Sequence, residues 1–272
     1  MVVLGAGHIG ETVVARLLAA GHPATRLRAT TRTQRRAEAL AAAHGIVTGV
    51  NNAEVAAGAD VLVLAVRPPQ AEDVLRQSVD ASSSSASIVS LVAGYSLDRI
   101  ERIAASSSGE ISAFRVASNV ASLQKAGVLA ISSAPGTPVG AEDLVLTTLR
   151  PLGTFIGIPE SHQNVAASTL GSGAAFLALA ATGVVDAATS DGVPPEHATL
   201  FAAEALECAA ALLRQSNPAP ANPWESLATP GGITEAGINS LRAHAVSQRL
   251  SDAVQAAVAR ANALATTPSD QT

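Results

Sequence analysis

Aromatic residues and cysteine are scarce in this chain of 272 residues. Phenylalanine, tryptophan and tyrosine make up 2% of the chain, whereas hydrophobic residues make up 48%. The core must therefore be filled by alanine, valine, leucine and isoleucine, which suits helices that pack closely through small side chains. The single cysteine, Cys208, excludes a disulfide within the chain, and its alanine-rich helical surroundings predict a buried apolar role. We expect a reducing, cytoplasmic environment.

Excess positive charge is also missing, because the formal net charge is −5 at pH 7. Nucleic acids and anionic membranes both require clustered positive charge, so we expect neither as a partner. The six histidines show no pair at metal-ligand spacing, so no metal site is predicted. The motif Gly171-Ser172-Gly173 is not the G-x-S-x-G pattern of a nucleophile elbow, which argues against a hydrolase triad.

One long stretch lacks charge altogether. Residues 165–185 contain no charged side chain and are long enough to span a bilayer. Serine, threonine and glycine residues dilute the hydrophobicity of this stretch, and no basic leader precedes the first apolar run, Val2–Leu4. We therefore expect no signal peptide and predict a buried helix of a soluble protein rather than a membrane span.

A glycine-rich turn follows the first apolar run at once. Its residues are Gly5, Ala6, Gly7, His8, Ile9 and Gly10, and a helical apolar pattern follows. In such a turn the first glycine permits a tight bend, the second lets a pyrophosphate approach the backbone, and the third lets helix pack on strand. The order strand, glycine turn, helix predicts dinucleotide binding, with an ordinary strand-to-helix turn as the alternative.

The end of the second predicted strand, residues 26–31, indicates which dinucleotide is bound. An acidic residue at this point commonly bonds the ribose 2′-hydroxyl of NAD, and none is present. Hydroxyl and guanidinium groups occur instead, at Thr30, Thr31, Arg32, Thr33, Arg35 and Arg36. They suit a 2′-phosphate, so NADPH is predicted and NADH remains possible. Alternatively, Arg35 and Arg36 are the solvated start of the helix predicted at 37–44.

The remaining pattern predicts an α/β protein with two domains. The apolar run 61–66 is typical of a parallel strand covered on both faces, and it ends in Arg67-Pro68-Pro69, at the sheet edge where ligands bind. Further strands are predicted at 46–47, 88–92, 111–116, 128–131 and 154–158, and helices at 97–104 and 142–149. After Pro159 only helices are predicted, at 162–190, 194–215, 234–244 and 247–265, with a loop at 217–223. We predict a dinucleotide-binding domain at 1–158 and an all-α domain at 159–272.

A second glycine turn lies near the C-terminus, at Thr229-Pro230-Gly231-Gly232-Ile233-Thr234. Pro230 restricts the backbone and the glycines let N–H groups approach a ligand closely. A helix begins at this turn, and the N-terminus of a helix favours an anion such as a carboxylate. The alternative is an ordinary loop in which Thr234 is the N-cap.

The ordered set of motifs resembles the pyrroline-5-carboxylate reductase family over nearly the whole chain. The matching motifs are Gly5–Gly10, Asn52 eight residues before Asp60, Leu64–Pro68, Arg115 with Asn119, Gly171–Gly173, Asp191-Gly192-Val193 and Thr229–Thr234. The resemblance implies an N-terminal Rossmann-type doubly wound sheet and a C-terminal helical domain that interlocks two subunits. It also implies that NAD(P)H reduces a cyclic imine carboxylate to L-proline in a homodimer or larger homo-oligomer.

The resemblance further implies roles for individual residues. Thr234 would hydrogen-bond the ring nitrogen of the substrate, and the N–H groups of Gly232 and Ile233, in the turn that includes Gly231, would hold its carboxylate. Asn119 and Ser172 would also lie at the substrate. The cofactor would contact the glycine turn with Thr31 and Arg32, and also Asn52, Ala65, Arg67 and Pro68.

The chain also departs from the family pattern, mostly around the substrate. Two prolines expected beside Asn119 are replaced by Ser118 and Ala121. A proline and a tyrosine expected after Gly173 are replaced by Ala174 and Phe176, a small residue is replaced by Ile233, and a lysine by Arg67. Two further interpretations therefore stay open: reduction of another cyclic imine or ketimine, and a weakly catalytic nucleotide-binding dimer.

Overall fold

The computed structural model of the chain describes residues 1–125, 127–214 and 222–266. Most of the predicted loop at 217–223 lies outside these residues. The described part forms two compact units, Met1–Gly171 together with the chain from Ala257 onward, and Ser172–Ala256. The first unit therefore extends past the predicted boundary at residue 158 and includes the end of the last helix.

The first unit is built on an eight-stranded sheet whose strands follow the order β3-β2-β1-β4-β5-β6-β7-β8. The strands are β1 (Val2–Leu4), β2 (Arg28–Thr30), β3 (Val47–Gly49), β4 (Val61–Leu64), β5 (Ser87–Ser90), β6 (Ser112–Ala117), β7 (Val128–Ser133) and β8 (Thr154–Gly157). All neighbours pair in parallel except β6 and β7. The strand order reverses between β1 and β4, and this switch point opens a crevice at the carboxyl ends of the strands.

Helices cover both faces of the sheet. They are α1 (His8–Ala19), α2 (Gln34–His44), α3 (Asn52–Ala56), α4 (Ala71–Val79), α5 (Leu97–Ala104), α6 (Val120–Lys125) and α7 (Val139–Leu149). Side chains alternate along each strand, so Val3 and Val63 enter one core while Leu4 and Leu64 enter the other. The α/β class and doubly wound sheet predicted from the sequence are therefore confirmed.

The sequence patterns did not predict α3, α4 or α6, and they placed the start of α2 too late because polar residues begin it. The helix predicted from residue 37 begins at Gln34, where Thr33 caps it by accepting a hydrogen bond from the N–H of Arg36. Asn51 caps α3 in the same way. A five-residue helix such as α3 is too short to show a helical period in the sequence.

The helices that follow the sheet are α8 (Gln163–Ala166), a π-helical turn (Ala167–Ser172), α9 (Gly173–Ser190), α10 (Pro195–Arg214), α11 (Ile233–Ala243) and α12 (Val246–Thr266). In the second unit α9 packs against α10. Ala198 and Ala202 are buried there, whereas Leu179 is 72% exposed and Phe201 59% exposed. A helix that packs on one neighbour buries one stripe and leaves its other faces open.

Two predictions of burial are consequently wrong for the single chain. Cys208 is exposed. The continuous helical segment Glu160–Ser190 is long and apolar enough to cross a membrane, and 6% of its most apolar window is buried. Cys208 and this segment both belong to helices that other parts of the same chain cover only partly.

Candidate active site

A cleft of about 460 Å³ lies in the first unit at the switch point, beyond the carboxyl ends of β1, β2 and β4. Five of the predicted cofactor residues beside the glycine turn or on neighbouring strands line it: Thr31, Arg32, Asn52, Ala65 and Arg67. Gly5, Ala6 and Gly7 also line it, and so do residues that the sequence analysis did not assign to a cofactor: Val50, Val66, Gln70 and Val74. Val66 lies inside the matching motif Leu64–Pro68, whereas no motif in the sequence marks Val50, Gln70 or Val74, which only the tertiary structure brings to the cleft.

The three glycines of the first turn differ in what surrounds them. Gly5 has φ +88°, and a Cβ there would lie 2.3 Å from Val66 Cγ1. A Cβ on Gly10 would lie 2.4 Å from the carbonyl oxygen of Gly5, so this glycine lets α1 pack directly on the turn. A Cβ on Gly7 would meet nothing within 4 Å. The chain thus needs Gly5 and Gly10 for its own packing, whereas the space at Gly7 is open toward the cleft and fits a pyrophosphate.

The start of α1 faces this space. Gly7 is the N-cap and has no side chain to pair with the N–H groups of the first turn, which includes His8, Ile9 and Gly10. None of these three residues lines the cleft. Pro68, another predicted cofactor residue, does not line it either and begins the 3₁₀ turn after Arg67. Unpaired N–H groups and the helix dipole make this end of α1 suitable for a phosphate.

A carboxylate in the first turn of α1, that of Glu11, would oppose a phosphate if it were free. Burial raises its pKa, but hydrogen bonds from Arg36 and His44 outweigh burial, and the net effect lowers the pKa of Glu11. Arg36 lines the cleft as well. Glu11 therefore neutralises Arg36 and is itself neutralised.

Arg32 is the cation available at the adenosine end of the cleft. Its side chain is exposed and has no hydrogen-bond or ion-pair partner in the described parts of the chain. The hydroxyl of Thr30 accepts from the N–H of Gly5, and the hydroxyl of Thr31 donates to the carbonyl of Thr33. Arg35 does not line the cleft and belongs to the first turn of α2. The helix-start interpretation therefore holds for Arg35, and Arg32 remains the residue expected to contact a 2′-phosphate.

The second unit contains the C-terminal glycine turn. Gly231 has φ +72°, which strongly favours glycine, and a Cβ on Gly232 would lie 2.5 Å from Thr229 Oγ1. Gly232 is the N-cap of α11, so Thr234 is the second residue of this helix and not its cap. The alternative role for Thr234 as an N-cap is therefore wrong.

The backbone donors of this turn are partly engaged. The N–H of Gly231 donates to Glu235 Oε2 at 2.7 Å, and the N–H of Gly232 donates to the carbonyl of Thr229 at 2.9 Å. Within the described residues, the N–H groups of Ile233 and Thr234 have no partner. These two groups at the start of α11 are the donors that a carboxylate can use.

Asn119 and Ser172 belong to different compact units, so their predicted contact with one substrate stays a prediction. Asn119 follows β6 and donates a side-chain hydrogen bond to the carbonyl of Leu170. Ser172 ends the π-helical turn. No group of three or more histidine, cysteine, aspartate or glutamate side chains suited to a metal ion occurs within 1–125, 127–214 and 222–266.

The strand order, the crevice at the switch point and the glycine turn define a Rossmann-type dinucleotide-binding protein with an added helical unit. Family models agree with both parts. Residues 160–264 match pyrroline-5-carboxylate reductase dimerisation, and residues 1–94 match NADP oxidoreductase coenzyme F420-dependent.

Individual relatives are similar over most of their length. The chain is 29% identical to pyrroline-5-carboxylate reductase of Corynebacterium melassecola, covering 96% of this chain and 97% of the relative. It is 30% identical to pyrroline-5-carboxylate reductase 3 of Danio rerio, covering 81% of this chain and 75% of the relative. The chain belongs to the pyrroline-5-carboxylate reductase family, and it is an NAD(P)H-dependent oxidoreductase.

Solved structures share the whole fold. A pyrroline-5-carboxylate reductase from Coxiella burnetii has a TM-score of 0.85 and 25% identity, with 98% of each chain covered. The pyrroline carboxylate reductase of Plasmodium falciparum, solved with NADP bound, has a TM-score of 0.85 and 21% identity, with 97% of each chain covered. The two-unit fold is therefore shared from end to end.

The different surroundings of Gly7 and Gly10 lead to a paired prediction. Gly10→Ala should lower the free energy of unfolding by about 1–3 kcal/mol, because its Cβ would overlap the Gly5 carbonyl. Gly7→Ala should change stability by less than about 1 kcal/mol, and it should weaken NADPH binding. Urea denaturation and a fluorescence titration with NADPH measure the two effects. Wild-type affinity in Gly7→Ala would show that the open space is not the pyrophosphate site.

Proposed function

We propose that this chain reduces the C=N bond of 1-pyrroline-5-carboxylate to L-proline with NADPH. The observation that carries the proposal is the combination, in one chain, of the glycine-turn cleft and a helix N-terminus that presents Thr234 with two N–H groups that have no partner among the described residues. Named relatives that match nearly the whole chain support the same reaction.

The reaction places three demands on the protein. The bound nicotinamide supplies a hydride to the imine carbon, and the nitrogen must end protonated. The site must therefore orient the two reactants, anchor the carboxylate and place a hydrogen-bond donor near the nitrogen. No covalent nucleophile is required, which agrees with the lack of a nucleophile elbow.

The cofactor is held by the first unit in this proposal. Its pyrophosphate lies at the start of α1 beside Gly7, and its 2′-phosphate pairs with Arg32. Asn52, Ala65 and Arg67 line the same cleft and would contact the cofactor as well. Asn52 is oriented by a hydrogen bond from its Nδ2 to Gln77 Oε1 at 2.8 Å.

The substrate is held by the second glycine turn. The N–H groups of Ile233 and Thr234 donate hydrogen bonds to the carboxylate at the N-terminal, positive end of α11. Gly231 and Gly232 shape the turn rather than donate. The hydroxyl of Thr234 contacts the ring nitrogen, and Asn119 and Ser172 remain the further substrate contacts that the family resemblance implies.

A second candidate function is the reduction of another cyclic imine or ketimine. Ile233 favours it, because this large apolar side chain is 94% exposed beside the proposed carboxylate site. A branched side chain at this point would restrict or reshape the space for the substrate ring. A weakly catalytic nucleotide-binding dimer is the third possibility, against which the retention of Thr234 argues.

Incubation with NADPH and a panel of cyclic imines tests the proposed function. The panel contains 1-pyrroline-5-carboxylate, a six-membered imine carboxylate and an uncharged cyclic imine. We expect NADPH oxidation with the first, at the highest kcat/KM of the three. A higher kcat/KM with another ring would replace the substrate assignment, and no NADPH oxidation with any of them would contradict both enzymatic functions.

Arg32 should determine the preference for NADPH over NADH. Arg32→Ala should weaken NADPH binding by about 10-fold or more, because a charge-assisted pair with a phosphate is lost, and it should barely affect NADH. Arg35→Ala is the matched control, since Arg35 does not line the cleft. An equal loss of affinity for both cofactors in Arg32→Ala would contradict the 2′-phosphate contact.

We also propose that the functional state is a cytoplasmic homodimer or larger homo-oligomer formed through the helical region. Exposed apolar residues on α9 and α10, such as Leu179 and Phe201, support it, because large exposed apolar patches mark interfaces. The same contact would cover the apolar segment 160–190. Light scattering at micromolar concentration should give at least twice the chain mass, and the mass of a single chain would contradict the proposal.

Thr234 is the side chain we expect to act in catalysis. Its hydroxyl orients the imine nitrogen by one hydrogen bond, while water supplies the proton, since a threonine hydroxyl has no useful pKa near neutrality. Thr234→Ala should slow turnover about 10-fold to a few hundred-fold, and Thr234→Ser should keep most activity. NADPH affinity should stay unchanged in both. If Thr234→Ala only lowered the melting temperature, Thr234 would have a structural role alone.

A further inference from the structure

An ion pair between a buried arginine and a carboxylate side chain that is 33% exposed lies at β6, outside the contacts that the proposed reaction uses. Arg115 is 6% exposed, and its Nη1 donates to Glu160 Oε1 at 3.0 Å. Its Nη2 donates to Asn164 Oδ1, also at 3.0 Å. Glu160 Oε1 accepts a further hydrogen bond from the N–H of Leu97, the first residue of α5, at 2.6 Å. One guanidinium therefore links β6 to the first turns of the helical segment 160–190 and, through Glu160, to α5.

A buried amide holds the same turns to the sheet. Gln163 is 1% exposed, and its Nε2 donates to the carbonyl of Arg115 at 3.2 Å and to Ser132 Oγ at 2.9 Å. Asn164 Nδ2 donates to Asn262 Oδ1 of α12 at 2.7 Å. Polar contacts thus attach this part of the helical segment to β6, β7 and α12.

Asn119, which follows β6, makes a second contact with the helical segment 160–190. Asn119 donates to the carbonyl of Leu170, within the π-helical turn that ends at Ser172. A π turn breaks the regular hydrogen-bond ladder of a helix, and such turns are frequent at functional sites. Arg115 and Asn119 therefore hold the segment at two points, its start and its π turn.

Stability alone is a poor explanation for this pair. Removing Arg115 from water is costly, and solvent weakens the compensating attraction of Glu160, whose side chain is 33% exposed. Two ionic partners with directed hydrogen bonds do, however, define a geometry more narrowly than apolar contact does.

The position of the pair also matters, because β6 ends on the β5 side of the switch point. Thr31 and Arg32 lie on the opposite, β2 side, so a dinucleotide that spans the crevice extends its nicotinamide half toward β5 and β6.

We infer that Arg115 is a positioning residue for the reduction. Through Glu160 and Asn164, and together with Asn119, it holds the π-helical turn in the place that the substrate requires. The inference rests on the proposed function for the identity of the substrate. Arg115 acts through these neighbours and has no contact with the adenosine side of the cleft.

The test compares two paired substitutions in the full chain. Arg115→Met with Glu160→Gln removes both charges of the pair and nearly keeps its volume. The matched control is Arg99→Met with Glu72→Gln, which removes a partly buried pair between α5 and α4 with an Nη2–Oε2 distance of 3.3 Å. Neither control residue lines the cleft.

The first pair should lower kcat per folded enzyme about 10- to 100-fold, because a displacement of about 1 Å of a positioning element costs up to this much. Its dissociation constant for NADPH should stay unchanged. The control pair should change neither kcat nor KM, whatever its melting temperature. Arg115→Lys, which keeps the charge but reaches one partner, should recover part of the loss. Unchanged kcat and KM in the first pair, or a loss of NADPH affinity as large as the loss of turnover, would overturn the inference.

Two further measurements cover the remaining cases. If the first pair does not fold, Arg115→Lys and Glu160→Gln as single substitutions should each show a smaller fall in kcat, and wild-type kinetics in both would overturn the inference. If the wild type reduces another imine, kinetics are measured with that imine. If it reduces none, the proposed function fails, and hydrogen exchange of residues 160–172 decides instead: exchange should be faster in the first pair than in the control, and equal exchange would overturn the inference.

Discussion

The close contact between the start of α1 and the turn after β1 sets the shape of the cofactor cleft. Gly10 lies against the carbonyl of Gly5, and Gly5 in turn lies against Val66, which follows β4. These contacts leave no room for a side chain at either glycine, so α1, β1 and β4 meet at one point. The N–H groups of α1 then face the switch point of the sheet, and Gly7 leaves the space before them open. The binding of a phosphate here depends on packing that is otherwise unrelated to the ligand.

The helical region, unlike the sheet, buries few of its apolar side chains within the chain. The sheet of the first unit buries apolar side chains on both faces, whereas α9 and α10 bury little beyond Ala198 and Ala202. This region matches a dimerisation family and leaves large aliphatic side chains exposed, which are the two observations behind the proposed homo-oligomer. The proposed contact would also account for the exposure of Cys208 and of the apolar segment 160–190.

Polar groups hold the first turns of that segment to the sheet. Arg115 and Gln163 are nearly fully buried, yet their donors are directed at Glu160, Asn164 and Ser132. An apolar contact at this place would tolerate small shifts, since apolar packing is not directional. Directed hydrogen bonds do not tolerate such shifts, which is the physical basis for assigning Arg115 a positioning role.

Local patterns in the sequence determined the fold class, the strands and the glycine turn, because alternation, apolar runs and glycine spacing act over a few residues. They also determined that residues 231–234 begin a helix. Only the tertiary structure decided which groups are available. It engaged the N–H of Gly232 within its own turn, made Gly232 the cap in place of Thr234, neutralised Arg36 through Glu11 and gave Arg32 no partner among the described residues. It also brought Arg115 to Glu160 and left Cys208 exposed. Such hydrogen bonds and burial depend on residues that are far apart in the chain, so no local pattern in the sequence predicts them.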